Sequence, residues 1–333
     1  MASQLIETLL LFSLPASGKS EMRKYMASLT PEQCRDEFHI GQTLQLDDYP
    51  YVHLMHRIDD ELKANGWKYV FYKGPTRPFQ DGWEWAALIE LLNEDYADLM
   101  AGRVVSPASC GQWMMDRFDA AHEKVGLHPH LGDVPHRIRV RVAEAIEAEC
   151  RHEVDNRNAQ AKQDKAGRSV VIECARGGPN GAAYPLTPPQ GYGATFAQLS
   201  EAILAKAAVL YIQVEPAESR RKNIERGKPD GAGSILHHSV PMEVMLSEYG
   251  TDDMAYLRSL SGKPDTITVE RIFEDTKGHY RSRTFHLPVA FFDNRQDKTT
   301  FVREDKAKWK KADVDAIHGE LKRAMDTLVK ARG

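Results

Sequence analysis

Leu9 to Ser20 reads LLLFSLPASGKS: four consecutive apolar residues, a loop of small residues, and a closing Gly-Lys-Ser. The apolar run predicts a buried strand over Leu5–Phe12. The Gly-Lys-Ser predicts a helix from Ser20 to about Leu29, stopped by Thr30-Pro31. Strand, glycine-ended loop and helix in that order is the setting of a phosphate-binding loop. The backbone N–H groups of Ala16, Ser17, Gly18 and Lys19 would form a nest for phosphate oxygens, reinforced by the positive end of the helix. Lys19 would reach the β- and γ-phosphates, and the Ser20 hydroxyl is placed to ligate Mg²⁺. Ser13 stands where the pattern G-x-x-x-x-G-K-[ST] has its first glycine, so Gly18, Lys19 and Ser20 carry most of the signal.

Outward from this stretch, short apolar segments alternate with helical ones, the signature of βαβ units and a parallel sheet. Further strands are expected at Thr43–Leu46, Trp67–Tyr72, Ser169–Cys174 and Ala208–Val214. Thr266–Phe273 and Tyr280–Leu287 read as a hairpin, and Val289–Phe292 as a separate short strand. Residues 79–166 read as mainly helical. The expected organisation is a core of residues 1–78 and 167–333 with a helical insertion, an acceptor-binding cap, at 79–166.

Three more segments carry polar groups at strand ends, where open α/β sheets bind ligands. Asp47 or Asp48, after the second strand, would take a proton from an acceptor hydroxyl, and Asp47 could also help hold Mg²⁺. Glu173, at the end of SVVIEC, suits a metal-organising carboxylate, and Arg176 a bidentate grip on phosphate. Arg220, Arg221 and Arg226 fall on a helix just after Val214, where an arginine can neutralise charge on a transferring phosphoryl group.

With these residues in place the chain resembles P-loop nucleoside and nucleotide kinases. The V-E-P strand end followed by a helix with R-x-x-x-x-x-R spacing is similar to their lid. Asp47-Asp48-Tyr49 is similar to the acidic-aromatic motif of uridine-kinase-like enzymes. Ala290–Asn294 (AFFDN) occupies the place of a strand and an adenine-contacting loop, which implies a role for Asn294. The resemblance implies an α/β three-layer sandwich whose parallel core has strand order 2-3-1-4-5. It also implies ATP and Mg²⁺ as cofactors and transfer of the γ-phosphoryl group to a hydroxyl of a nucleoside, a nucleotide or DNA. Phage enzymes that phosphorylate 5-hydroxymethyluracil within DNA belong to this broad class, which makes that base the specific acceptor expected. A nucleotide-hydrolysing switch or motor and a small-metabolite kinase are the alternatives.

Composition bounds these readings. The net charge of −4 argues against a protein that coats nucleic acid nonspecifically, while leaving room for a local basic surface. Cys34, Cys110, Cys150 and Cys174 are scattered with no C-x-x-C pair, which fits a reducing cytoplasm. The run at Leu9–Phe12 is too short to span a membrane and no basic residue precedes it as in a secretory signal. His128, His130, His136, His237 and His238 show no zinc spacing and read as capping, packing or substrate-contact residues.

Overall fold

The computed structural model describes residues 5–227, 239–274 and 277–332. Its centre is a sheet of six strands: β1 (Thr8–Ser13), β2 (Gln42–Asp47), β3 (Arg168–Cys174), β4 (Ala207–Gln213), β5 (Thr266–Glu274) and β6 (Tyr280–Asp293). They lie in the order β2-β3-β1-β4-β6-β5. The first five in that order are mutually parallel, and β5 is antiparallel on the outer edge of β6. The fold is therefore α/β with a mostly parallel, mixed sheet. The parallel part follows the expected order, and the sixth strand is an addition to it.

β1 sits in the middle of the sheet, buried at every position. Leu10 and Phe12 pack on one face against Val170, Ile172, Tyr192 and Phe196. Leu9 and Leu11 pack on the other against Met22, Tyr25, Leu321 and Met325. A strand covered on both faces has no polar side to present, so its sequence runs apolar without alternation. The covering helices are α1 (Lys19–Ala27) and, near the end of the chain, Lys311–Arg332 on one face, with Gly191–Gln198 on the other.

α2 (Pro31–Phe38) buries Phe38 on the α1 face of the sheet, while α3 (Tyr49–Ala64), α4 (Glu84–Ala101), α5 (Cys110–Val125) and α6 (His136–Ala161) make up the helical region. α4 buries Ile89, Leu92, Tyr96 and Leu99 against the sheet cluster. Its other side buries Leu88 and Leu91 among residues of α3, α5 and α6. One helix that is apolar round most of its circumference thus ties the helical region to the sheet. The Tyr96 hydroxyl also hydrogen-bonds Thr8 of β1 at 3.0 Å.

Two expectations are corrected. Trp67–Tyr72 forms no strand, only an isolated bridge between Tyr72 and Phe79. The buried Asp59 carboxylate accepts the N–H groups of Val70 at 2.7 Å, Phe71 at 3.2 Å and Tyr72 at 2.9 Å. Those donors are satisfied by one side chain and need no neighbouring strand. Tyr280–Leu287 and Val289–Phe292 are one strand, β6, which pairs with β5 up to Pro288 and with β4 from Val289 onward. Pro288, which has no N–H to offer, stands where the strand changes partner. No described helix is long and apolar enough to cross a membrane.

Candidate functional site

The loop from Leu14 to Gly18 joins β1 to α1, and its carbonyls are engaged by side chains. Ser17 Oγ donates to Leu14 O at 2.5 Å, Ser219 Oγ to Pro15 O at 2.6 Å, and Asn294 Nδ2 to Ser17 O at 2.8 Å. The N–H groups of Ala16, Ser17 and Gly18, in residues that are themselves buried, donate to no described residue. The helix beyond is uncapped: Gly18 is its N-cap and no side chain accepts from its first turn. A run of unpaired donors at an uncapped helix start is chemically a cradle for an anion. Ala16 and Gly18 hold it open in left-handed conformation, at φ 57° and 105°.

Gly18 is required on steric grounds too. A Cβ there would lie 2.5 Å from Thr299 Oγ1 and 2.9 Å from Asn294 Nδ2. Gly18→Ala is expected to lower stability by at least about 1 kcal/mol, adding a backbone penalty to that clash. Urea unfolding checks this, and an unchanged midpoint would contradict it.

Beside the loop lie acidic residues brought together by sheet register. Parallel pairing of β2 with β3 places Asp47 opposite Glu173. Burial, with Asp48 and Glu173 nearby, pushes the Asp47 carboxyl up to about 7, although Lys19 pulls it the other way. Burial also raises Glu173, opposed by Arg23, whose Nη1 stands 2.9 Å from the carboxylate, and by Lys19. Lys19 Nζ donates to Cys174 O at the end of β3, at 3.2 Å. Asp48 is held by the buried Arg176, Nη1 to Oδ2 at 2.5 Å. That guanidinium lies 4.6 Å from the Trp85 ring centre, and its Nε and Nη2 have no partner among the described residues.

The helix after β4, Pro216–Arg226, turns its cations in different directions. Arg221 is exposed and ion-paired to Glu218 and Glu225 of its own helix, so it is not brought to the loop. Arg226 lies 3.5 Å from Glu21 of α1, a carboxylate that also takes Arg303 at 2.7 Å. Arg220 has a buried Nη1 without a described partner. Lys222, the fourth cation of this helix, is buried with its Nζ 2.9 Å from Asp297. Asn294 is fully buried and bonds Ser17 and Thr299, so here it braces the loop. Ser13 ends β1, its hydroxyl donating to Leu14 O at 2.9 Å. Ser20 lies in the first turn of α1 and is partly exposed.

A cavity of about 320 Å³ opens at the end of β2, bounded by Asp47, Trp113, Arg117, Glu153, Asn156 and Arg157 among others. Its wall is a fixed ionic network. The buried Asp95 takes Arg117 Nη2 and Arg157 Nη1, each at 2.7 Å, and accepts the Tyr51 hydroxyl. Both guanidinium groups lie over the Trp113 ring, 4.9 and 5.4 Å from its centre. These residues come from α3, α4, α5 and α6, and no local motif marks them. Asp47 borders the cavity and also feels Lys19 and Glu173.

The histidines fall elsewhere. His128 Nε2 lies 2.6 Å from Asp133, with His130 close enough for the three ligand atoms to lie within 4.8 Å of one another. His237 and His238 lie outside the described residues. Comparison with protein-family models, with curated proteins and with solved structures returns no match.

Proposed function

We propose that the chain is a P-loop kinase, which transfers the γ-phosphoryl group of ATP to an acceptor hydroxyl held in the cavity beside Asp47. The observation that carries this reading is the loop itself: three carbonyls tied back by Ser17, Ser219 and Asn294, and the N–H groups of Ala16, Ser17 and Gly18 left without partners. A folded protein leaves buried donors unpaired at a cost, and a phosphate group is the ligand that satisfies several at once.

The other residues then take roles. Lys19, whose only described partner is a backbone carbonyl, is free to move onto the β- and γ-phosphates. Asp47, with a carboxyl near neutrality and one side on the cavity, accepts the proton of the acceptor hydroxyl. Arg176 holds Asp48 and keeps the second acid of the pair from competing for that proton. Arg220 supplies cationic charge from the helix over the loop. The residues present fit a divalent cation: Ser20, a hydroxyl in the first turn of α1, is partly exposed, and the buried Glu173 Oε1 faces Arg23 without a hydrogen bond. Magnesium bound there would neutralise phosphate charge.

The cavity's size suits a nucleoside-sized acceptor. Its arginines are already neutralised by Asp95 and Asp98, so the wall favours an uncharged ring over a second phosphate. That agrees with a modified base such as 5-hydroxymethyluracil, presented by DNA out of its stack. Following γ-labelled ATP into hydroxyl acceptors tests the reaction class. Placement of the acceptor is tested by Ala159→Trp, which fills the cavity from an exposed position on α6. This variant is expected to raise the acceptor KM by about tenfold, the scale of a lost pocket contact, with ATP KM unchanged. An unchanged acceptor KM would place the acceptor elsewhere.

A further inference from the structure

β5 and β6 leave the sheet as a two-stranded arm. Their pairing continues to Glu274↔Tyr280, well beyond the point where β6 meets β4 at Val289. The two faces of this arm differ. On one, the cross-strand pairs run Ile267–Leu287, Val269–Phe285, Arg271–Arg283 and Phe273–Arg281. The first two pairs are buried in the core, and beyond them the face becomes arginine and phenylalanine. The opposite face carries Glu270 and Glu274 with Thr284 and Tyr280 across from them.

Placing Arg271 directly opposite Arg283 costs stability, because like charges repel across a ladder. No described carboxylate relieves them. Arg271 Nη1 donates to the Ile272 carbonyl at 3.1 Å and its Nε has no described partner, while the Arg283 guanidinium lies 4.9 Å from the Phe285 ring centre. In a chain of net charge −4, three arginines gathered on one face of a projecting ribbon, with the acids on the other, form a local anion-seeking surface.

We propose that this face binds double-stranded DNA. The repeating anion of a duplex backbone matches a row of arginines at strand spacing, and a two-stranded ribbon fits the roughly 12 Å major groove of the B form. The deep, narrow groove of A-form RNA does not admit it. The five residues of β5 from Glu270 to Glu274 extend about 17 Å, enough to cross that groove. β6 runs parallel to β4, so its arginines lie toward the end of the sheet opposite the Gly-Lys-Ser loop. Arg283 to Asp293 spans roughly 33 Å along β6, which puts the grip far from the transfer site.

Fluorescence anisotropy of a labelled 20-base-pair duplex, with the full chain and no nucleotide, tests this separately from phosphoryl transfer. Wild-type binding is expected to weaken steeply with salt. The triple variant Arg271→Gln, Arg281→Gln, Arg283→Gln is expected to lose about tenfold or more in affinity and to flatten the log–log salt slope by about 3. Arg283→Gln alone should flatten it by about 1, which keeps the test open if the triple variant does not fold. Glu270→Gln with Glu274→Gln, on the opposite face, should leave binding intact. The proposal is overturned if wild type shows no salt-dependent duplex binding, or if Arg283→Gln keeps the wild-type slope. Duplex RNA or polyglutamate binding as tightly as DNA would overturn it as well.

Discussion

Lys19→Ala is expected to lower phosphoryl transfer by roughly a thousandfold, the scale on which removing one preorganised charge contact to a transferring group acts. Lys19 sits at the start of α1 beside the free N–H groups of the loop, and its described contact is a single bond to Cys174 O. None of the bonds that hold the loop passes through it: Ser17, Ser219 and Asn294 brace the carbonyls. The folded state should therefore survive, and the thermal midpoint should stay near wild type. Turnover and melting measured on the same preparation separate the two effects. Normal turnover in a folded Lys19→Ala protein would contradict the phosphate-loop reading.

Asp47→Asn is expected to lower the transfer rate by about a hundredfold to ten-thousandfold, the usual range for loss of a general base. The wild-type rate should rise with pH through about 7, where the Asp47 carboxyl ionises, and level off above it. The same ionisation acts on stability with a definite sign. Folding raises this carboxyl from 3.8 to about 7, so the stabilisation present at low pH is lost as pH rises through about 7. Asparagine keeps the Oδ1 acceptor that caps Tyr49 N at 2.9 Å and removes the charge. The variant should melt above wild type at pH 8 and match it near pH 4, and its rate deficit should be full above pH 7 and shrink as the wild-type carboxyl protonates. A variant that transfers at the wild-type rate would remove Asp47 from the chemistry.

The strand, loop and helix of residues 8–27 were legible because each rests on local signals: an apolar run, small loop residues and a helix start. The acidic residues at the strand ends were legible for the same reason. What the sequence did not show is which acid remains available. The approach of Arg176 to Asp48 is a tertiary contact, and the Asp47–Glu173 pairing follows from strand register. Trp67–Tyr72 misled because an apolar run says nothing about where its N–H groups go, and Asp59 lies outside any local window. Asn294 was placed at the nucleotide by resemblance, while its contacts here brace the loop from behind. The cavity was not legible because its lining comes from β2 and four helices far apart in the sequence.

Transfer of label from γ-labelled ATP, with Mg²⁺ present, tests the central claim most directly. The acceptors are nucleosides, nucleotides, unmodified duplex DNA and duplex DNA carrying 5-hydroxymethyluracil, with the label traced to its final chemical form. The account predicts label on an acceptor hydroxyl, strongest on the modified DNA, and its loss with Lys19→Ala and Asp47→Asn. Label appearing only as inorganic phosphate, at a rate indifferent to every acceptor, would contradict it.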